Sequence, residues 1–337
     1  MPALAVADAL RAEGAEVVFV GGERAERELV PAAGYELRTI AVEGLSRTNP
    51  LKAARAALKA ARALGVARRL LREERPGAVL GGGGYVAGPV GLAAAGLRIP
   101  LVLTEADSHL GLTNRALAPL ARRVCLAFAL PGREPPRYRV TGRPVPPPAR
   151  DRAAARARFG LGPEEPCVLV FGGSLGARSI NLAAVEGLAG AELRVLHAAG
   201  RRDFPALRAP GSHYDLRPYI TPFGEALLAA DLVVARAGGS IFEIASHGRP
   251  AILVPYPHAS ADHQSANARW MERAGAAEVI PDAELTPERL AAAVAGLLGD
   301  RSRLEAMAQA SAGLSRPDAA AAVARELLAA ASFEVSA

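Results

Sequence analysis

The chain is poor in several residue types, and each shortage narrows the reading. Cysteine occurs only as Cys125 and Cys167, both inside apolar runs and without metal-like spacing. A disulfide framework and a cysteine-built metal site are thereby excluded, and buried, reduced thiols are expected. Aromatic residues make up 4% of the chain, and none is interleaved with a basic stretch in the way single-stranded nucleic acid uses. Lysine is nearly missing; Lys52 and Lys59 are the only two, and arginine supplies the other cations. No apolar run is long enough to span a bilayer, and no signal peptide is expected, so any membrane contact should be peripheral. GxGxxG, the Walker lysine and an Asp-x-Asp pair at a strand end are all missing. Neither a dinucleotide fingerprint nor a P-loop is indicated, and no metal requirement is expected.

Half of the 337 residues are apolar, with Ala, Leu and Val building the interior. That length suits about two α/β domains with sizeable cores. The formal charge of +6 suits nucleic acid, an anionic membrane surface or a phosphate-rich substrate. Residues 143–148 (RPVPPP) form a stiff, extended connection that cannot join a sheet centrally. Residues 1–143 are therefore expected to form one domain and 144–337 a second, with the last helix (318–331) either finishing the second or packing back on the first. Strand and helix patterns alternate in both halves, so the fold class is α/β: two doubly wound, Rossmann-like domains facing across a cleft.

Residues 2–13 read as an amphipathic helix with Pro2 in its first turn. A doubly wound domain normally begins with a strand and a glycine-rich turn. Neither precedes this helix, so either the true start lies upstream of Met1 or a central strand has been lost; an upstream start is favoured, because a lost central strand would leave a gap costly to fill. Residues 51–74 form a long helix carrying Lys52, Arg55, Lys59, Arg62, Arg68, Arg69 and Arg72 on one side. It reads as an ordinary surface helix or as one lying on anionic lipid. Residues 81–84 are four consecutive glycines, followed by Tyr85 and a helix expected over 90–97. Such a turn exposes main-chain N–H groups and admits a ligand closely. Strand 100–104 ends in Glu105, Asp107 and His109, groups that can serve as acid or base or simply order a loop.

The densest signal lies further on. Strand 167–171 runs into GGSLGARSIN, in which Ser174 can offer its hydroxyl and N–H to a diphosphate or cap the helix. Strand 214–219 leads to Ile220. The apolar run 229–235 is followed by Gly238, Gly239 and Ser240, which open a helix bearing Ile241 and Glu243. Strand 251–255 then enters a polar loop with His258, Asp262, His263, Gln264 and Asn267. Successive strand ends thus bring glycines, a helix start and one carboxylate to one sheet edge, where open α/β sheets bind ligands. Helix-start N–H groups suit phosphate and Glu243 suits sugar hydroxyls, so the pattern reads as a nucleotide or nucleotide-sugar site.

Taken together, GGGGYVAGPVGLAA, EADSHLGLTNRALAPLARRV, GGSLGARSIN and the region 235–277, with HQSANA and ERAGAAEVI, resemble the MurG family. These bacterial transferases add N-acetylglucosamine to the lipid-linked muramyl-pentapeptide precursor of peptidoglycan. The resemblance covers nearly the whole chain in family order. It implies the GT-B fold, UDP-N-acetylglucosamine as donor, an undecaprenyl-linked muramyl-pentapeptide as acceptor, and no cofactor, metal or nucleic acid. It also implies peripheral attachment to an anionic surface, the cytoplasmic face of the cell membrane. Donor contacts are implied at Asn114, Arg143, Ser174, Ile220, Gly238, Gly239, Ser240, Ile241, Glu243 and Gln264. Among these, Ile220 meets uracil through its main chain, Glu243 the ribose and Gln264 the sugar. Acceptor contacts are implied at Gly83, Gly84 and Tyr85.

The chain departs from the family in places. The family's first glycine-rich loop, ending in a His proposed as catalytic base, has no counterpart, which makes Glu105 the candidate base within these residues. The family's Arg after Asn-Pro-Val is missing, and Arg143 stands in from a shifted position. The His-Glu-Gln-Asn block is here Thr104-Glu105-Ala106-Asp107. Alternative readings are another GT-B UDP-sugar transferase or epimerase, or an inactive UDP-sugar-binding protein. If the transferase reading holds, UDP release on mixing donor with lipid acceptor should be unaffected by EDTA. Strict dependence on added manganese would count against it.

Overall fold

The computed structural model describes residues 2–22, 26–41, 50–173, 175–259 and 262–332, without the side chains of 50–60. The chain forms two compact units, Met1–Pro146 with Arg316–Ala337, and Pro147–Ser315.

The first unit runs α1 (Pro2–Ala12), β1 (Val18–Gly21), α2 (Glu26–Ala32), β2 (Glu36–Thr39), α3 (Pro50–Glu74), β3 (Val79–Gly81), α4 (Gly84–Gly96), β4 (Leu101–Glu105), α5 (Leu112–Leu117), β5 (Arg123–Leu126) and β6 (Tyr138–Val140). All pairings are parallel, in two sheets: β1 with β2, and β3-β4-β5-β6 in that order. Both sheets share their packing. Val20 of β1 and Val79 of β3 contact one apolar cluster built on Ala63, Ala67 and Leu71 of α3 and Val90, Ala93 and Ala94 of α4. On another cluster, Val17, Ala78 and Leu80 meet Val6 and Leu10 of α1 and Val323 and Leu327 of the final helix, Ala319–Ser332. Glu326 of that helix also accepts from Arg123 at 3.0 Å, so the chain's end is tied into the first unit by apolar and ionic contacts.

Helix α4 begins at Gly84, earlier than the sequence pattern suggested. Gly83 and Gly84 make the turn with φ of +79° and +77°, where a side chain would be strained. The stretch through Pro89 is already helical. Pro89 removes one ladder hydrogen bond, and burial of Val90, Ala93 and Ala94 below it offsets that loss.

The second unit runs α6 (Arg152–Arg158), β7 (Cys167–Phe171), α7 (Arg178–Gly187), β8 (Arg194–Ala198), β9 (Tyr214–Arg217), α8 (Phe223–Ala229), β10 (Leu232–Ala235), α9 (Ile241–Ser246), β11 (Ala251–Leu253), α10 (His263–Arg273), β12 (Ala277–Val279), α11 (Pro287–Gly299) and α12 (Arg301–Gly313). Its six strands form one parallel sheet in the order β12-β11-β10-β7-β8-β9. Strands β7 and β10 are covered on both faces, which is why they read as unbroken apolar runs. Helices α7 and α11 close one face through Ile180, Ala184, Leu290 and Val294, packed on Val168, Val170 and Val234.

The polar loop expected through 258–267 is corrected in its second part: α10 starts at His263. Its buried stripe is Asn267, Ala268 and Met271. Two of these three carry no large apolar side chain, so the helical period was not visible in hydropathy. Both cysteines are free and buried, and desolvation pushes each thiol up to about 12, away from thiolate chemistry.

A line of paired polar groups crosses the second core. His197 of β8 and Asn181 of α7 are both 0% exposed. The Asn181 amide nitrogen faces two acceptors, so its oxygen is the atom 3.0 Å from His197 Nε2, which must donate. His197 Nδ1 then accepts from the Tyr214 hydroxyl at 2.8 Å. Burial pushes this imidazole down from 6.5 to about 4. A depressed folded-state value means that its contribution is full above the unfolded value and is lost as pH falls through about 4. In urea unfolding of the second unit, His197→Gln should therefore abolish about 2–3 kcal/mol of the stability lost between pH 7 and 4.5. An unchanged pH profile would contradict a neutral, paired imidazole.

Candidate nucleotide-sugar site

Strands β7 and β10 pair in register, with Phe171 opposite Ala235 at their C-terminal ends. From there the chain leaves in opposite directions, from β7 toward β8 and from β10 toward β11. This is the switch point at which an open α/β sheet forms its ligand crevice. Both turns at that point are rich in glycine.

The turn after β7 leads into α7; Ser174 lies outside the described residues. The remainder is tightly placed. Gly176 has φ +90°, and a Cβ there would lie 2.1 Å from Ala199 O. A Cβ on Gly200 would lie 2.1 Å from Gly176 N. Only glycine allows this turn to rest directly on the chain leaving β8.

The turn after β10 enters α9. The first ladder bonds run from Ile241 N to Gly238 O and from Phe242 N to Gly239 O, each 3.3 Å. The N–H groups of Gly238, Gly239 and Ser240 precede that ladder, at the place where a helix start offers donors that suit an anion. Glu243 is half-buried in the first turn of α9. From α10, Gln264 Oε1 accepts from Tyr256 N at 3.0 Å, while its Nε2 lies 3.9 Å from where a Cβ on Gly238 would be. Asn267 Nδ2 donates to Ala237 O at 2.9 Å. Its Oδ1 is buried and has no partner among the described residues. Gly238, Gly239, Ser240, Ile241, Glu243 and Gln264 are thus gathered at one turn. Ile220 follows β9, with its side chain 1% exposed, and Gly200 N donates to Pro218 O at 3.2 Å just before it.

Arg236, between β10 and its turn, clamps the crevice floor. It donates to Val254 O at 3.1 Å, Pro255 O at 3.2 Å, Asp282 Oδ1 at 2.5 Å and Ser179 Oγ at 2.9 Å. Ser179 in turn donates to Asp282 at 2.6 Å. One guanidinium therefore ties the ends of β10 and β11 to the start of α7.

The first unit holds Gly83, Gly84, Tyr85, Glu105, Asn114 and Arg143. Helix α4 starts at the glycine turn without a side-chain cap, and Tyr85 is 57% exposed beside it. Asn114 sits 3.6 Å from where a Cβ on Gly83 would lie. Its Nδ2 donates to Thr104 O and Glu105 Oε2, each at 2.9 Å, and its buried Oδ1 has no partner among the described residues. Glu105 is buried, and both of its oxygens are engaged. Oε2 also accepts from Gly111 N at 2.8 Å, and Oε1 from Asp107 N at 3.2 Å. These three donors fill both acceptor positions of Oε2 and one of Oε1, so the carboxylate orders the loop 105–114. Arg143 is half-buried and follows Gly142. Among the described residues no group of three or more His, Cys, Asp or Glu could hold a metal ion.

Comparison with known proteins decides the family. Residues 1–126 match the glycosyltransferase family 28 N-terminal domain, and residues 167–323 match its C-terminal domain. The chain is 44% identical to the UDP-N-acetylglucosamine–N-acetylmuramyl-(pentapeptide) pyrophosphoryl-undecaprenol N-acetylglucosamine transferase of Moorella thermoacetica, across 97% of this chain and 94% of that protein. It is 45% identical to the protein of the same name from Rubrobacter xylanophilus, across 96% and 98%. The crystal structure of MurG from Acinetobacter baumannii superposes with a TM-score of 0.77 at 30% identity, covering 97% of this chain and 95% of that one. The chain belongs to the MurG family.

With the MurG family comes the GT-B fold, built here from the two α/β units. Sequence reasoning passed over Asn267 and Arg236 as site components. Gln264 and Asn267 stand at i and i+3 and share a helix face, a signal that becomes readable once 263–273 is taken as helical. The partners of Arg236 are distant in sequence and have no local signature. Replacing Glu105 with Ala should leave the N–H groups of Asp107 and Gly111 without their acceptor. Urea unfolding of the first unit should then lose about 1–3 kcal/mol; unchanged stability would remove Glu105 from this ordering role.

Proposed function

We propose that this chain transfers N-acetylglucosamine from UDP-N-acetylglucosamine to the 4-hydroxyl of an undecaprenyl-linked N-acetylmuramyl-pentapeptide, converting lipid I to lipid II in peptidoglycan synthesis. Membership of a family whose members bear that activity in their names supports it. The observation that carries it is the meeting of two glycine turns at the β7/β10 switch point, with Glu243 one helical turn away.

In this reading the donor diphosphate rests on main-chain N–H groups of Gly172 and Gly173 and of Gly238, Gly239 and Ser240. Glu243 accepts from the ribose hydroxyls, and the main chain at Ile220 reads the uracil. Gln264 binds the sugar, and the unpartnered Asn267 Oδ1 accepts one of its hydroxyls. The acceptor's diphosphate lies at the uncapped start of α4, beside Gly83, Gly84 and Tyr85. The muramyl 4-oxygen attacks the anomeric carbon on the face opposite UDP. The bond from that carbon to the β-phosphate oxygen breaks, UDP leaves with the electron pair, and configuration inverts as the hydroxyl proton passes to a base. Negative charge growing on the diphosphate is met by N–H groups that are already oriented, with no cation needed. Within the first unit Glu105 orders the loop that carries Asn114 beside Gly83.

A lipid-linked acceptor places the work at a membrane surface, and we assign it to the cytoplasmic face, with peripheral attachment. No helix among the described residues is long and apolar enough to cross a membrane. On α3, Arg62, Arg68, Arg69 and Arg72 are exposed and suit anionic headgroups.

Glu243→Ala should weaken UDP binding about 10- to 100-fold in calorimetry, the loss of hydrogen bonds to a charged acceptor. Unchanged affinity would overturn the donor assignment.

A further inference from the structure

We infer that Asn181, His197 and Tyr214 form a buried positioning unit that fixes Gly176, in the turn after β7, relative to the segment leading to Ile220. None of the three is among the donor contacts above, and the inference rests on that donor reading. They come from three successive elements, α7, β8 and β9, and are 0%, 0% and 3% exposed. The bonds run in one line. The Tyr214 hydroxyl donates to His197 Nδ1 at 2.8 Å, and His197 Nε2 donates to Asn181 Oδ1 at 3.0 Å. Asn181 Nδ2 then donates to Ala199 O at 2.9 Å and Asp203 Oδ2 at 3.1 Å.

Where this line ends gives it a purpose. Ala199 O is the atom on which Gly176 rests too closely for any Cβ. Ala199 N and Gly200 N donate to Arg217 O at 2.9 Å and Pro218 O at 3.2 Å, the main chain just before Ile220. The helix behind one donor segment is therefore bonded to the strand that carries the other, through a loop that touches both. An apolar trio would fill the same core without desolvation cost, yet apolar contacts tolerate sliding. Directional bonds among satisfied buried groups fix distance and orientation. Tenths of an ångström matter where main-chain N–H groups must converge on a phosphate.

The test uses the full chain. Amide hydrogen exchange is followed in peptides covering 172–177 and 198–204, and UDP binding by calorimetry, for the unaltered protein, Asn181→Ala, Tyr214→Phe and a core control, Met307→Ala on α12. Asn181→Ala should accelerate exchange in both peptides about tenfold, leave the β7 peptide unchanged and weaken UDP about tenfold. Tyr214→Phe, which keeps the ring, should shift both in the same direction by less. Met307→Ala should lower the thermal midpoint and leave exchange in the turn and UDP affinity alone. Exchange in the turn that stays unchanged in both network variants, or accelerates equally in the control, overturns the inference. An unaltered chain that binds no UDP overturns the donor reading and this inference with it. That failure is distinct, because the exchange rates are read without UDP.

Discussion

The parallel pairing of β7 with β10 decides where everything else in the second unit lies. Four residue pairs, from Val168–Leu232 to Phe171–Ala235, set the register, and every residue of both strands is buried. Slipping one strand by one residue would turn its side chains to the wrong face and offset its glycine turn by about 3.3 Å. That offset is comparable to a hydrogen-bond length, so the two turns could no longer meet one diphosphate as proposed. The core register and the ligand geometry are a single constraint.

Main chain and side chains divide the work around that pair. In the proposed donor site main-chain N–H groups meet the ligand, and the side chains hold the main chain. Arg236 ties the ends of β10 and β11 to α7 from one side. The Asn181 network ties α7 to the chain leaving β8 from the other. Glu105 does comparable work in the first unit, drawing the N–H groups of Asp107 and Gly111 and the amide of Asn114 onto one carboxylate. In each case a charged or polar group is spent on holding a loop. A glycine-rich turn has no side chains of its own to do this.

Much of the second unit was legible in sequence because CVLVF and LVVA are apolar runs broken by glycines, and that pattern is local. Helix α10 is hidden in sequence because Asn267 occupies a core-facing position, so its polarity reads as loop. The start of α4 was hidden because four glycines and Pro89 read as breakers, although packing beneath Val90 sustains the helix. The role of Glu105 as loop organiser depends on donors two to nine residues away, whose approach is set by tertiary structure. The separation of β1–β2 from β3–β6 is likewise a matter of long-range pairing that local hydropathy does not encode. The Asn181–His197–Tyr214 line joins residues scattered over three elements, each unremarkable in its own window.

The most direct measurement is a crystal structure of the full chain with UDP bound. The account predicts diphosphate oxygens about 3 Å from the main-chain nitrogens of Gly172 or Gly173 and of Gly238, Gly239 and Ser240, with both ribose hydroxyls on Glu243. A diphosphate lying away from the β7/β10 switch point, or held there by a metal ion and side chains alone, would contradict it.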